Sequence, residues 1–161
     1  MNAALVIIVA LILIFSFVIL FGAPYLPTLK KRAEDAFDLL NLKPGQTMVE
    51  LGSGDGRMLR MAAERGIKSI GYELNPLLVL YSKVVLFRYR KLITVKCRNY
   101  WQITLPKCDG IYVFLLDRYM SKLNKKIIQE KHNSVKLVSF AFQIPDKKPA
   151  KEKNGLFLYK Y

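Results

Sequence analysis

The 161-residue sequence has few of the side chains from which metal sites and catalytic triads are built. It contains two cysteines, Cys97 and Cys108, and a single histidine, His132. The cysteines have neither disulfide-framework nor metal-ligand spacing, so both are predicted to be reduced packing residues. One histidine argues against a histidine-built metal site and against a Ser-His-Asp triad, and we expect no metal.

Acidic residues are also scarce. The chain has 12 Asp and Glu against 26 Lys and Arg, which gives a formal charge of +14, and no charge occurs before Lys30. Such an excess attracts anionic partners, either nucleic acid or an anionic membrane surface, and charge alone does not choose between them. No internal repeat or low-complexity segment occurs, so residues 29–161 are predicted to form one domain.

An uncharged apolar run occupies residues 3–21, where Ser16 is the only polar residue. Its length is that of a bilayer-spanning helix. We therefore predict a single-pass transmembrane anchor over residues 1–22, with a cleaved signal peptide or a buried helix as the alternatives. Because Lys30, Lys31 and Arg32 flank the run, the positive-inside rule places the following domain on the cytoplasmic side of the membrane.

Three glycines at alternate positions, in residues 52–56, mark the stretch around which the chain is organised. They follow a short apolar strand that ends at Glu50 and precede a helix beginning near Arg57. Glycine permits a sharp turn and close approach of a ligand, and the free N–H groups of a helix start favour a polar or anionic group. The spacing differs from the G-x-G-x-x-G dinucleotide fingerprint. Glu73, about twenty positions further on, occupies the place of a ribose-binding acid.

Strands alternate with helices along the rest of the chain. Strands are predicted near residues 47–50, 67–72, 93–97, 111–116, 135–142 and 156–161. Helices are predicted after the caps Thr28, Asn75 and Asp117 and near Arg57, and the one after Asn75 is predicted to run from Pro76 to about Arg90. Residues 146–154 are predicted to form a polar loop. This order predicts a doubly wound α/β fold with a parallel sheet, and its ligands bind beyond the carboxyl ends of the strands.

With these elements placed, the chain resembles the class I methyltransferases that use S-adenosylmethionine (SAM), and among them the FAM173-type membrane-anchored protein lysine methyltransferases. Those proteins combine an N-terminal membrane segment, a proline-flanked pre-motif, a loop of the form D-L-G-S-G-D-G-R and a following G-Y-E-L-N-P. The matching residues here are 22–28, 50–57 and 71–76. The resemblance implies a Rossmann-like, mostly parallel sheet and a layout of anchor (1–22), pre-motif (23–28) and SAM-dependent methyltransferase domain (29–161).

The resemblance also implies which residues meet SAM. Glu50 and the glycine loop would meet its methionine part, Glu73 its ribose, and residues 99–101 its adenine, although family members usually have aspartate where Asn99 stands. The pre-motif would fold over the site, whereas the residues alone are equally compatible with a linker there. The implied cofactor set is Tyr25, Thr28, Glu50, Gly52, Ser53, Gly54, Asp55, Gly56, Glu73, Leu74, Asn75, Asn99, Tyr100 and Trp101.

The activity implied by the resemblance is methylation of a lysine side chain in a membrane-associated protein. Methyl transfer is an in-line displacement that needs alignment in a dry pocket and little acid-base machinery. Asp117, where the family often has proline, is the candidate for orienting the amine, and a helix cap is its alternative role.

Two other functions remain open at this point. One is a methyltransferase acting on RNA or a small molecule, which the basic surface and the stacking capacity of Tyr100 and Trp101 favour. No separate nucleic-acid domain or Asn-Pro-Pro-Tyr-like catalytic loop accompanies them, so nucleic acid is the weaker alternative. The other is a membrane-anchored nucleotide-binding module without catalytic activity.

Overall fold

A seven-stranded sheet forms the centre of the fold. The computed structural model describes residues 2–9, 12, 28–130 and 132–161. The strands are β1 (Thr47–Leu51), β2 (Lys68–Glu73), β3 (Ile93–Cys97), β4 (Gly110–Val113), β5 (Lys136–Phe140), β6 (Lys151–Lys153) and β7 (Leu156–Lys160). Their order across the sheet is β3-β2-β1-β4-β5-β7-β6. Strands β1 to β5 run parallel, and β7 is antiparallel to both of its neighbours.

Helices cover both faces of this sheet. In the part of the chain that the structure describes, four helices pack on it, namely α1 (Lys30–Leu40), α2 (Arg57–Glu64), α3 (Pro76–Val85) and α4 (Met120–Gln129). Side chains of α1, α2 and α3 lie in one buried apolar cluster, and those of α4 lie in the other. Successive strand residues alternate between the clusters, as the pleat requires: Met48 and Tyr112 face the first, Val49 and Ile111 the second. The predicted doubly wound α/β fold is confirmed.

The register of the central strands brings three functional positions into one row. Glu50 pairs with Gly71 of β2 on one side and with Tyr112 of β4 on the other. Because β1, β2 and β4 are parallel, their carboxyl ends meet at one edge of the sheet. The loops that follow Leu51, Glu73 and Val113 therefore lie together.

The predicted anchor over residues 1–22 and most of the pre-motif, including Tyr25, fall largely outside the described residues. Residues 3–9 are helical. Within the described ranges, no helix combines the length and apolar character needed to cross a bilayer. The anchor therefore stays a prediction.

Some predicted boundaries were wrong. Strand β4 ends at Val113 rather than near residue 116. Strand β6 lies inside the segment 146–154 that was predicted to be a loop; its three residues are all exposed and polar, so only backbone pairing with β7 defines it. Helix α3 ends at Val85 rather than near Arg90, and a single 3-10 turn, Phe87–Tyr89, follows it. A short edge strand and a change of helix type leave no hydrophobic period in the sequence.

Two of the three predicted helix caps, Thr28 and Asp117, were also wrong. Helix α1 has Leu29 at its N-cap with no side-chain cap bond, and the hydroxyl of Thr28 instead contacts that of Tyr112 at 3.0 Å. Asp117 begins a 3-10 turn, Asp117–Tyr119, and α4 starts only at Met120. The Thr28 side chain is engaged in a tertiary hydrogen bond instead of a cap bond, and an extra turn separates Asp117 from the start of α4.

The packing of β7 generates a stability prediction. The hydroxyl of Tyr159 is fully buried and accepts a hydrogen bond from the backbone N–H of Ile144 at 2.9 Å. Tyr159→Phe leaves that N–H unpaired and is expected to lower the free energy of unfolding by roughly 1–3 kcal/mol. Tyr81→Phe, at a half-exposed ring, is the matched control. Denaturant unfolding of both variants measures the difference, and equal stabilities would contradict this account.

Candidate functional site

The glycine loop takes a conformation that side chains disfavour. Gly52, Gly54 and Gly56 have φ angles of 88°, 52° and 79°, all in the left-handed region. The N–H groups of Gly52 and Ser53 both donate to the carbonyl of Tyr72, at 2.8 and 2.9 Å. The loop therefore folds back from β1 onto the end of β2, and α2 begins directly after it.

The carboxylate of Glu73 ties this loop to the chain that follows β2. One oxygen accepts from the N–H of Gly54 at 2.8 Å, and the other accepts from the N–H groups of Leu74 and Asn75 at 2.7 and 2.8 Å. A carboxylate has about four lone-pair positions, so roughly one remains for a further donor. Glu73 thus organises the site and keeps capacity for a hydroxyl.

Glu50 is a buried carboxyl with an incomplete set of partners. Its Oε2 has no hydrogen-bond partner among the described residues, and neither does the hydroxyl of Ser53. Burial first, and then the negative charges of Asp55 and Glu73, hold the pKa of Glu50 well above its ordinary value, while Arg57 opposes the shift. An unpaired buried acid with a perturbed pKa beside a glycine loop is typical of a binding site for a cationic group.

The end of the pre-motif is held against this loop by Arg57 and Tyr112, two side chains to which the sequence analysis gave no role in the site. The Arg57 guanidinium pairs with Asp55 at 2.8 Å and donates to the carbonyl of Thr28 at 3.1 Å. The buried Thr28 hydroxyl lies 3.0 Å from that of Tyr112. Tyr112 carries the one hydroxyl group in the apolar run at residues 111–116, and this exception in the sequence could have indicated a role in the site.

Helix α3 supports the loop from behind. Asn75 caps the helix by accepting from the N–H of Leu77 at 2.9 Å, as predicted. Ser82, which is fully buried, donates to the carbonyl of Gly54 at 2.9 Å. A Cβ at Gly56 would lie 2.6 Å from Leu86 Cδ1, so only glycine fits there without a shift. Ser82 was missed, although a lone serine in an apolar helix marks it.

Gly71 is required by packing as well as by the motif in which it occurs. A Cβ at this position would lie 2.6 Å from Leu59 Cδ1 and 2.7 Å from the Ser53 side chain. The missing side chain lets Ser53 and Leu59 sit against β2 beside Glu50. The first residue of the G-Y-E-L-N-P motif therefore sets how closely the loop approaches the sheet.

An aromatic turn borders the other side of the site. Asn99 Oδ1 accepts from the N–H of Trp101 at 3.0 Å and so caps the turn Tyr100–Gln102. The Trp101 ring lies 4.9 Å from that of Tyr100 and 6.0 Å from that of Tyr119, measured between centroids. Burial, followed by the charge of Glu73, raises the pKa of Tyr100. The turn therefore lies near the carboxyl end of β2.

Most of the predicted site residues are brought together at one edge of the sheet. Contacts described above join the following: Thr28, Glu50, Gly52, Ser53, Gly54, Asp55, Gly56, Glu73, Leu74, Asn75, Asn99, Tyr100 and Trp101. Tyr25 lies outside the described residues. Asp117 is exposed on the turn that carries Tyr119, so its role toward an amine stays a prediction. Among the described residues, no group of His, Cys, Asp and Glu could hold a metal ion.

The sheet order and the position of the loop define the class I methyltransferase fold. An RNA methyltransferase from Salinibacter ruber, solved with S-adenosyl-L-homocysteine, superimposes with a TM-score of 0.76 over 83% of this chain and 91% of its own, at 22% identity. A SAM-dependent methyltransferase from Geobacter sulfurreducens gives 0.60 over 84% and 58%, at 17% identity. At these identities the likeness concerns the fold alone.

Sequence comparison identifies the family. The profile of the ANTKMT methyltransferase domain matches residues 50–151. The chain is 31% identical over 124 residues to the human ATP synthase C-subunit lysine N-methyltransferase, with 76% of this chain and 53% of that protein covered. It is 33% identical over 130 residues to the mouse adenine nucleotide translocase lysine N-methyltransferase, with 78% and 56% covered. The chain belongs to the ANTKMT methyltransferase-domain family, which confirms the predicted resemblance, and it spans about half the length of these curated relatives.

The raised pKa of Glu50 makes stability depend on pH. The folded protein retains a proton that the unfolded chain releases near the ordinary pKa of 4.5. The stabilising contribution of this group is therefore complete below that pH and is lost as the pH rises through the raised folded pKa. Glu50→Gln removes the charge and keeps the shape. We expect it to be more stable than the wild type at neutral pH, with the advantage vanishing toward pH 4.5.

Urea unfolding across this pH range measures the effect. Glu34→Gln, on the exposed side of α1, is the control and should change stability by no more than about 0.5 kcal/mol. Parallel pH profiles for the wild type and Glu50→Gln would show that the buried carboxyl is paired in solution.

Proposed function

We propose that the chain is a SAM-dependent methyltransferase that transfers a methyl group to a lysine side chain of a membrane-associated protein. The observation that carries this proposal is the unpaired, buried oxygen of Glu50 beside the glycine loop. Family membership supports the lysine acceptor, because the relatives are named as lysine N-methyltransferases of the ATP synthase C-subunit and of adenine nucleotide translocase. The chain spans about half the length of those relatives.

The residues of the site fit SAM. Glu50 Oε2 and the Ser53 hydroxyl lack partners among the described residues. Apart from the two chain neighbours of Gly52, no residue that the structure describes has an atom within 4 Å of where a Cβ of Gly52 would be. The loop thus presents open space next to an acid that would accept the cationic amino group of the methionine part. Glu73 would take ribose hydroxyls, and the turn at Tyr100–Gln102 would lie along the adenine.

Bound SAM would supply a methyl group on a sulfonium: a neutral amine would attack the methyl carbon in line while the carbon–sulfur bond breaks and the sulfur leaves as a neutral thioether. The carboxyl groups of Glu50 and Glu73 and the backbone of the loop would hold the donor. The rings of Tyr100, Trp101 and Tyr119, which lie together, would exclude water from one side. A lysine side chain, whose pKa is about 10.4, must first release its proton to the solvent. We assign Asp117, exposed at the edge beyond β4, the role of accepting a hydrogen bond from the amine and orienting it.

The same proposal places the enzyme at a membrane. Residues 3–21 form an apolar run, and Lys30, Lys31 and Arg32 follow it. A single-pass anchor with the catalytic domain on the cytoplasmic side agrees with this charge distribution. The formal charge of +14 favours an anionic membrane surface near the acceptor protein.

Calorimetry tests the cofactor. The wild type is expected to bind SAM, and Glu73→Ala is expected to weaken binding about tenfold to a hundredfold, since it removes charge-assisted hydrogen bonds worth roughly 1.5–3 kcal/mol. Glu152→Ala, on the exposed strand β6, removes an equivalent carboxylate far from the loop and should leave affinity unchanged. Tight binding of NAD without binding of SAM would overturn the assignment of the glycine loop.

Radiolabelling tests the acceptor. Incubation with methyl-labelled SAM and membranes is expected to place label on lysine in a protein, and Asp117→Asn should lower kcat about tenfold, the worth of one hydrogen bond of roughly 1.4 kcal/mol. SAM affinity of this variant should not change. Label in RNA or in a small molecule would instead favour the other methyltransferase activities. Absence of any label, with SAM binding intact, would favour a non-catalytic module.

A further inference from the structure

The outer face of α3 is apolar where a surface helix ordinarily carries polar side chains. Leu77, Leu80, Tyr81 and Val84 stand at positions i, i+3, i+4 and i+7, and Phe87 continues the line in the next turn. We call these five residues the α3 stripe. Val84 is 67% exposed, Phe87 63% and Leu80 62%. An exposed apolar line of this length requires an explanation other than chance.

The stripe does not belong to the side of α3 that packs on the sheet. The opposite side of α3 is the buried one, and there Val79 and Leu86 pack in the core while Ser82 bonds to the glycine loop. The helix thus shows its polar serine to the interior and its leucines to the outside. Because the inner contacts fix the rotation of the helix, the stripe faces away from the sheet.

Positive charge surrounds the stripe. Residues 74–108 contain seven Lys and Arg and no Asp or Glu. Lys83, Arg88, Arg90 and Lys91 are all exposed on or directly after α3. The Arg90 guanidinium lies over the Phe87 ring, 4.5 Å from its centroid, so a positive charge stands directly at the stripe.

We propose that the α3 stripe docks in the headgroup region of an anionic lipid bilayer. Apolar helix faces with Lys and Arg at their margins bind at this depth, through burial of the face and attraction to anionic lipid. The four exposed cations on or directly after α3 match an anionic surface. One carboxylate, that of Glu64 on α2, lies beside this segment and accepts from the Tyr89 hydroxyl at 3.0 Å. A protein partner or a second copy of this basic chain would have to bring matching carboxylates. The docking is a contact of the folded domain and does not depend on methyl transfer.

A spin label on the stripe tests this contact in the full chain. Cys97→Ser removes the exposed thiol, and burial raises the pKa of Cys108 to about 12, which keeps that thiol slow to react. A label is placed at Val84→Cys or, as the matched control, at Ile128→Cys, an exposed apolar position on α4 across the sheet. Collisions with a water-soluble nickel chelate are measured in phosphatidylcholine vesicles with and without phosphatidylglycerol.

The label at residue 84 is expected to be shielded from the chelate only when phosphatidylglycerol is present, and the label at residue 128 is expected to stay accessible. Arg88→Gln with Arg90→Gln should lower the docking equilibrium constant about thirtyfold, since each cation contributes about 1 kcal/mol. Lys148→Gln with Lys151→Gln, beside and on the far edge strand β6, removes the same charge and should have a much smaller effect.

Three results would overturn the proposal. The first is a label at residue 84 that stays accessible in anionic vesicles. The second is shielding at residue 84 without anionic lipid, because a second copy, a protein or the N-terminal residues would then cover the stripe. The third is equal shielding at residues 84 and 128, because the contact would then not be specific to α3.

Discussion

The carboxylate of Glu73 is the point on which the rest of the site depends. It accepts three backbone hydrogen bonds, one from the glycine loop after β1 and two from the chain that leads into α3. Without it, the N–H of Gly54 and the start of α3 would lose a shared partner. Two loops that are far apart in the sequence are thereby held as one surface, and the unpaired oxygen of Glu50 lies beside it.

Small side chains let this arrangement close. Gly71 admits Ser53 and Leu59 against β2, and Gly56 admits Ser82 and Leu86 against the loop. The consequence is that a loop with three left-handed residues is buried at its base yet open at Gly52. An RNA methyltransferase has the same fold at 22% identity, so the fold by itself does not determine the methyl acceptor.

Much of the fold could be predicted from the sequence because apolar periodicity and turn residues determine it locally. Residues 48–49 and 111–113 are apolar and lie in buried strands, and Asn75 with Pro76 marks a helix start that the structure reproduces. The predictions that were wrong concern residues whose partners lie elsewhere in the chain. Thr28 contacts Tyr112, 84 positions away, instead of capping α1, and β6 exists only through pairing with β7. Neither pairing leaves a local pattern.

Helix α3 contacts the glycine loop on its inner side and carries the exposed α3 stripe on its outer side. Ser82 on the inner side bonds to the carbonyl of Gly54, and the exposed leucines lie on the outer side. Any shift of the helix toward the sheet moves both sides together, since packed interiors yield little. The two sides are then linked thermodynamically. If a ligand at the glycine loop and a contact at the outer side both favour the same helix position, each raises the binding affinity of the other by an equal factor. The proposed lipid contact of the outer side would therefore couple to ligand binding at the glycine loop through α3 alone.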